Sequence, residues 1–425
     1  MVYVIAKNGQ PLMPTNRHGK VKHLLKDGKA KVVKRCPFTI KLLYESKTHT
    51  QNLTLGVDTG SGTIGTAVSK DNGDIVYMSE VIVRNDITEK MTQRARYRRD
   101  RRNRKTRYRE SRWLNRANSM RDDRFSPTMQ SKHHSHVKEI EYIKSILPIT
   151  TMVFEAGQFD THLMKNPSLA NPKVSHWGYQ KGPNYGFENT KAMVLNRDSY
   201  TCQCCKGRHK DSKLEVHHII FRGQGGSDEE SNLITLCHTC HKALHSGKIN
   251  PKFSGKTKGS LNYATQMNSI RKQLFRLYPE AVETFGYVTK ANRLRLGAGK
   301  EHYYDACTIA TQGEPFTVKS SLYKKKCVSD GDFQKTKGVR SEQPIVTDKI
   351  CGFRKFDKVR YFGKDYFIKG RMSTGYAILM DIDGKKIDFS TMPKGSKTPK
   401  MVNLKRLEAR SSWMITAVEV TPNIA

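Results

Sequence analysis

The chain has 425 residues, enough for several modest domains, and sets 76 Lys and Arg against 39 Asp and Glu for a formal net charge of +37. So basic a chain repels itself when compact unless an anion neutralises it, and nucleic acid is the natural partner because bound Lys and Arg release its condensed counterions. No run of about 18 apolar residues is present, Lys7 interrupts the first apolar run too early for a secretory leader, and five of nine cysteines crowd between 202 and 240, so a soluble intracellular protein is expected rather than a membrane-spanning or disulfide-framed secreted one.

Residues 1–50 alternate short apolar runs (Val2–Ile5, Thr39–Tyr44) with turns, and include Pro11-Leu12-Met13-Pro14. Leu53–Asp58 predicts an apolar strand ending in an acid. Two more strands follow at Gly62–Val68 and Asp74–Val83, with Asp71-Asn72-Gly73 as the turn between them, so an antiparallel meander opens an α/β domain. From Arg94 to Arg121 the text becomes RARYRRDRRNRKTRYRESRWLNR and beyond, free of Pro and Gly, with arginines at every helical angle. A helix polar all round bridges domains or is stabilised by a partner; the interleaved aromatics favour one that grips phosphates over a solvated run.

Val137, Ile140, Ile143 and Ile146 predict a half-buried helix ended by Pro148, and Thr150–Phe154 a strand that delivers Glu155. Residues 161–192 carry Pro167, Pro172, Pro183 and several glycines and read as a linker into an inserted domain. That domain fills about 195–250. A basic helix (Tyr263–Leu277) and a second one from near His302 come next. The last hundred residues turn β-rich, with strands expected at Val359–Phe362, Tyr366–Lys369, Tyr376–Asp381 and Lys386–Phe389.

Two C-x-x-C pairs, Cys202/Cys205 and Cys237/Cys240, supply four thiolates for a tetrahedral Zn²⁺ that contributes folding free energy to so small a module. Cys204 is left over. Between and after the pairs stand His217-His218 on a strand, a Gly225-Gly226 loop, Asn232 and His241, which resemble the His-Asn-His pattern of HNH endonucleases. Phosphodiester hydrolysis needs a base to activate water and a metal to hold the developing charge. The resemblance implies His218 as general base, Asn232 orienting it, and His217 with His241 on one Mg²⁺. Glu215, His238 and His245 are assigned to the surroundings.

Acids at the ends of apolar strands are unusual. Asp58, Glu155 and Asp305 (in His302-Tyr-Tyr-Asp305) lie far apart, and each alone reads as a surface acid or cap. Together they resemble the three segments of a RuvC-like nuclease, an RNase H fold whose carboxylates hold two Mg²⁺ ions about the scissile phosphate, with His302 in proton transfer.

The order of these parts resembles the IscB family of transposon-encoded, RNA-guided DNA nucleases. Pro11-Leu12-Met13-Pro14 is similar to its PLMP motif and the arginine stretch to its bridge helix. The resemblance implies an α/β multi-domain protein: a PLMP domain (1–50), RuvC-like segments at 51–90, 123–188 and 251–318, and a bridge helix (91–122). It also implies an inserted ββα-metal HNH domain (189–250) with a four-cysteine zinc site, and a β-rich C-terminal domain (319–425). Arg94, Arg98, Arg101, Arg102, Arg104, Arg109 and Arg112 would bind guide phosphates. An omega RNA guide and double-stranded target DNA are the implied partners of a monomeric protein acting in the prokaryotic cytoplasm and nucleoid, with no membrane. HNH would cut the guide-paired strand and the RuvC-like site the displaced one, sequence being read by base pairing. Two alternatives remain open on the residues: a guide-independent homing or restriction-type HNH endonuclease, and a non-cutting RNA-binding regulator.

Overall fold

The computed structural model describes residues 1–102, 125–157, 171, 185–209, 211–255, 262–329, 333–334, 343–344, 349–391 and 398–420. The chain divides into two units, Met1–Gly157 with Gln266–Ala425, and Gln158–Thr265 between them. Among the described residues no helix is long and apolar enough to cross a membrane.

The first unit begins with β1 (Val2–Ile5), β2 (Pro11–Thr15), α1 (His18–Lys26), β3 (Ala30–Lys34) and β4 (Thr39–Leu42), a sheet of order β2-β1-β4-β3 closed over Val2, Val4, Val21 and Ile40. Pro11 and Pro14 lie on its edge strand, where a missing N–H costs no interior ladder bond. Next comes the meander β5 (Leu53–Asp58), β6 (Thr63–Lys70) and β7 (Asp74–Ile82), turning at Gly73 with φ of +81°. Helix α2 (Ile87–Arg102) and helix α3 (Pro127–Lys144) follow, then β8 (Thr151–Glu155) parallel to β5. Helix α3 starts ten residues before the apolar repeat that announced it. Ser126 caps it by accepting from Met129 N, and Pro127 fits the first turn.

The second unit holds α4 (Thr190–Arg197), the hairpin β9 (Leu214–His218) and β10 (Leu233–Cys237), and α5 (His238–His245). Its small core joins Met193 and Val194 to Leu233, and Ile234 and Leu236 to the four cysteines.

The chain rejoins the first unit along α6 (Asn262–Leu277), β11 (Val282–Thr284), α7 (Gly286–Arg295) and α8 (His302–Ala310), then β12 (Thr317–Val318) and β13 (Leu322–Cys327). Short strands β14 (Phe333–Gln334) and β15 (Gln343–Pro344) pair with each other. The tail forms β16 (Lys358–Tyr361), β17 (Lys364–Arg371), β18 (Ala377–Met380), β19 (Lys405–Glu408) and β20 (Trp413–Val418). Four of these make an antiparallel sheet, β18-β17-β16-β19, around Val359, Ile368 and Leu379. The segment expected as a strand at Lys386–Phe389 makes only a single bridge, Met380 to Lys386, and Phe389 plugs that core instead.

The main sheet runs β11-β8-β5-β6-β7-β13-β20, with β12 also on β7. Strands β13 and β20 extend this sheet although the sequence reading places both in the tail; β13 lies parallel to β7 and β20 antiparallel to β13. Alternation sorts the side chains. Leu53, Leu55, Val57 and Ile64 face α3 and α6, while Ala67, Ile75 and Met78 face α8. One buried ion pair crosses the first layer: Lys325 Nζ lies 2.7 Å from Glu139 Oε2, both side chains wholly shielded, with Tyr77, Ser79 and Thr66 also bonded to Glu139 Oε1.

Candidate functional site

In the second unit, Cys202 and Cys205 come from a loop, Cys237 from the end of β10 and Cys240 from the first turn of α5, where Cys237 Sγ caps the Cys240 N–H. All four are buried and their sulfurs lie within 4.8 Å of one another. Zn–S bonds of about 2.3 Å give tetrahedron edges of about 3.8 Å, and Cys205 and Cys237 stand 3.8 Å apart. Burial and neighbouring sulfurs push the Cys240 thiol up; a cation at the centre relieves that by making each sulfur a thiolate ligand. The donor set fits zinc.

Beside it, His217 on β9 and His241 and His245 on α5 bring one ring nitrogen each within 4.8 Å of one another. The i, i+4 spacing puts both α5 imidazoles on one helix face. Burial, then the charges of His241 and His245, hold His217 down at about 4, so it is a neutral ligand at ordinary pH. Glu215, two residues earlier on the same strand face, accepts from His241 Nδ1 at 2.6 Å and fixes which nitrogen of that ring is offered. His245 therefore belongs to the cluster rather than to its surroundings; its signal in the sequence was the His241-x-x-x-His245 spacing. Three imidazoles suit a zinc- or nickel-like ion better than Mg²⁺, which favours oxygen donors.

His218 points to the other strand face and pairs with Asp228, Nε2 to Oδ1 at 2.8 Å; Arg222 Nε holds the same oxygen at 2.7 Å. The Asn232 side chain bonds the backbone of the loop after His218 and not His218 itself. It is wholly buried, accepts from Ile220 N, and donates to Ile220 O and Ser227 O, closing the loop that presents Asp228. A Cβ at Gly226 would collide with Ile220 O, so this loop closes only on glycine. Orientation of His218 thus runs through Asp228, which sequence reasoning missed because an acid in a polar loop carries no pattern.

The HNH endonuclease family model matches residues 202–247. Over 70 residues the chain is 37% identical to anaredoxin of Nostoc sp., 16% of this chain and 88% of that protein. Through this module the chain belongs to the HNH endonuclease family. It is also 35% identical over 65 residues to the type IV methyl-directed restriction enzyme EcoKMcrA of Escherichia coli, spanning 23% of that enzyme. The RRXRR protein family model matches residues 2–182, and the chain reads Arg98-Arg99-Asp100-Arg101-Arg102 within that span. Among solved structures, a Streptococcus thermophilus Cas9 in complex with the AGAA PAM aligns with a TM-score of 0.32 and 11% identity. That alignment covers 60% of this chain and 32% of Cas9. The chain thus carries an HNH endonuclease module, with further parts outside it.

Those further parts gather acids in the first unit. Strands β5 and β8 are parallel neighbours, so Asp58 and Glu155 end on the same edge. Helix α8 crosses their sheet closely because Gly56 and Gly65 leave room: a Cβ at either would strike the backbone of Ala306 and Ala310, or of His302. That approach brings His302 Nδ1 to 2.6 Å from Asp58 Oδ2. The bond, with the charge of Asp58, raises the imidazole above its ordinary value despite partial burial. Burial, and then Asp58, raise both Glu155 and Asp305. Such mutual repulsion is what a cation would relieve.

Two arginines unforeseen in the sequence belong to this site. Arg293 Nε pairs with Asp305 Oδ1 at 2.8 Å. Arg271, buried on α6, donates through Nε to Thr59 Oγ1 at 2.7 Å, through Nη2 to Thr59 O at 3.1 Å, and through Nη1 to Gly157 O. Thr59 Oγ1 donates in turn to Glu155 O at 2.6 Å, so the ends of β5 and β8 are tied by one guanidinium. With Asp58 turned to His302 and Asp305 to Arg293, the three carboxylates are not drawn together as tightly as the cysteines or histidines.

Of the expected phosphate-binding arginines, Arg94 and Arg98 are exposed on α2, and Arg102 ends it half-buried. Arg104, Arg109 and Arg112, and the side chain of Arg101, lie outside the described residues.

Proposed function

We propose that this nuclease is RNA-guided and cuts both strands of a DNA target at two metal-dependent sites, as an IscB-like enzyme. The observation that carries the reading is the carboxylate set. Asp58, Glu155 and Asp305 approach one another from segments that precede and follow the HNH unit, and a free-standing HNH nuclease has no use for them. A meander with parallel strands on one flank and helices on both faces supports an RNase H-like, RuvC-type core. The domain limits given above, from PLMP to the β-rich tail, belong to this proposal.

In the HNH module, His218, held by Asp228, takes the proton from the attacking water, while His217, His241 and His245 would hold the divalent ion. In the core, Asp58, Glu155 and Asp305 present oxygen donors that fit Mg²⁺, and His302 moves the proton. The ions supply charge neutralisation for the attacked phosphate and the leaving oxygen. The exposed arginines of α2 bind guide phosphates, and the net charge of +37 is offset by guide and target together.

The test is to express the chain with its native flanking DNA and sequence any RNA that co-purifies. Double-strand cutting of a plasmid only when that RNA matches it supports the reading; cutting by RNA-free protein overturns it. That second outcome is what a guide-independent restriction-type nuclease predicts, a reading favoured by the likeness to EcoKMcrA. Asp58→Ala and His218→Ala should each leave a nickase, the first for the guide-paired strand and the second for the displaced strand.

A further inference from the structure

Gly286, at the start of α7, is where the backbone passes over Glu155: a Cβ there would stand 3.0 Å from Glu155 Oε1. On either side of that glycine are Phe285 and Tyr287, 40% and 74% exposed. Their rings lie nearly parallel, 13° apart in plane with centroids 5.8 Å apart. Helix α7 divides its labour by face. Thr289 and Arg293, four residues apart, are buried toward the carboxylates, while Tyr287, Lys290 and Leu294 stand in solvent. Two large rings stacked on each other at the rim of an acidic site, on a helix that also exposes Lys290 and Arg295, combine a π surface with positive charge.

We propose that Phe285 and Tyr287 form a stacking platform for the unpaired bases of a single DNA strand whose backbone lies at Asp58 and Glu155. The inference rests on the reading of the carboxylates as a cutting site. Carboxylates repel a phosphate, so the strand needs attachment besides the ions. A duplex hides its base faces, whereas a displaced strand offers them, and every base has one. Stacking is therefore sequence-tolerant, as a guided nuclease requires, and contributes about tenfold in affinity per base. Lys290 and Arg295 would steer the backbone without reading it.

The test uses the full chain with its co-purifying RNA, without added Mg²⁺, so that nothing is cut and the four-cysteine zinc stays in place. The probe is a short oligothymidylate carrying 2-aminopurine, whose fluorescence is quenched when it stacks. The double variant Phe285→Ala/Tyr287→Ala should lose the quench and about tenfold or more in affinity. Tyr287→Trp should retain both, and Lys290→Ala should flatten the salt dependence while keeping the quench. In Mg²⁺ the double variant should cut the displaced strand more slowly and the guide-paired strand at the parent rate. A parental quench and affinity in the double variant would overturn the platform, as would slower cutting of both strands with the quench unchanged. If Asp58→Ala still cut the displaced strand, the reading of the carboxylates would fall instead, whatever the aromatic variants did.

Discussion

The HNH module and the carboxylate site bring reactive groups together by opposite means. In the module, every ligand and its partner lies between Cys202 and His245, and two clusters are set by a hairpin and one turn of helix. In the carboxylate site the groups come from Asp58, Glu155, Arg271, Arg293, His302 and Asp305, and only the whole sheet with α6, α7 and α8 brings them near one another. The first is a local device that a zinc ion on its four cysteines would stabilise. The second is a product of tertiary packing, and its fidelity depends on residues far from the chemistry.

The largest effect should come from the local device. Zinc binding in small domains contributes about 10 kcal/mol to folding, so Cys237→Ser or strong chelation should unfold the module outright. Zinc content and limited proteolysis within 190–250 would follow this, while the core strands stay protected; a module that remained folded without metal would break the contrast. Next, Lys325→Met leaves Glu139 charged in the core without its counter-ion, a loss of about 3–5 kcal/mol. It should appear as a lower urea midpoint for the core with the module's zinc retained. The double replacement Lys325→Met/Glu139→Leu should recover most of that loss.

Gly65→Ala sharpens the comparison at the site itself. The added methyl pushes α8 off β6, and a displacement of about 1 Å costs on the order of 100-fold in rate. Strand-specific nicking assays should show the loss on the displaced strand alone. The smallest effect concerns His302. Its folded value is raised by Asp58, so in metal-free protein the pair stabilises fully below the unfolded imidazole value near ~6.5. That stabilisation is lost as pH rises through the raised folded value. Because the imidazole is nearly half exposed, about 1 kcal/mol or less is expected. Denaturation without added Mg²⁺ at pH 6 and pH 9, with His302→Gln as reference, would measure it; equal pH dependence in both proteins would refute the pairing.

The same contrast explains what could be read in advance. Cys202, Cys205, Cys237 and Cys240 announce themselves because the spacing of ligands within one short segment is written in the chain. Acids after apolar strands and the Asp71-Asn72-Gly73 turn are legible for the same local reason. Arg271, Arg293 and Asp228 were not, since a basic residue on a basic helix or an acid in a polar loop looks ordinary until its partner arrives from elsewhere. The addition of β13 and β20 to the main sheet was hidden likewise, because β-rich text does not say which edge it will join. Lys325 gave no warning: a lysine within Lys324-Lys325-Lys326 reads as surface, and only the strand alternation turns it inward onto Glu139.

Arg271 has one more consequence. It sits on the helix by which the chain returns to the core, and it bonds the carbonyl of Gly157, the last residue before the chain departs. Departure and return are thus fastened at one point. A whole domain could be exchanged there for a short glycine-serine loop without pulling any strand out of register. The core would keep its fold through such a swap, since every strand of the main sheet lies outside the inserted segment.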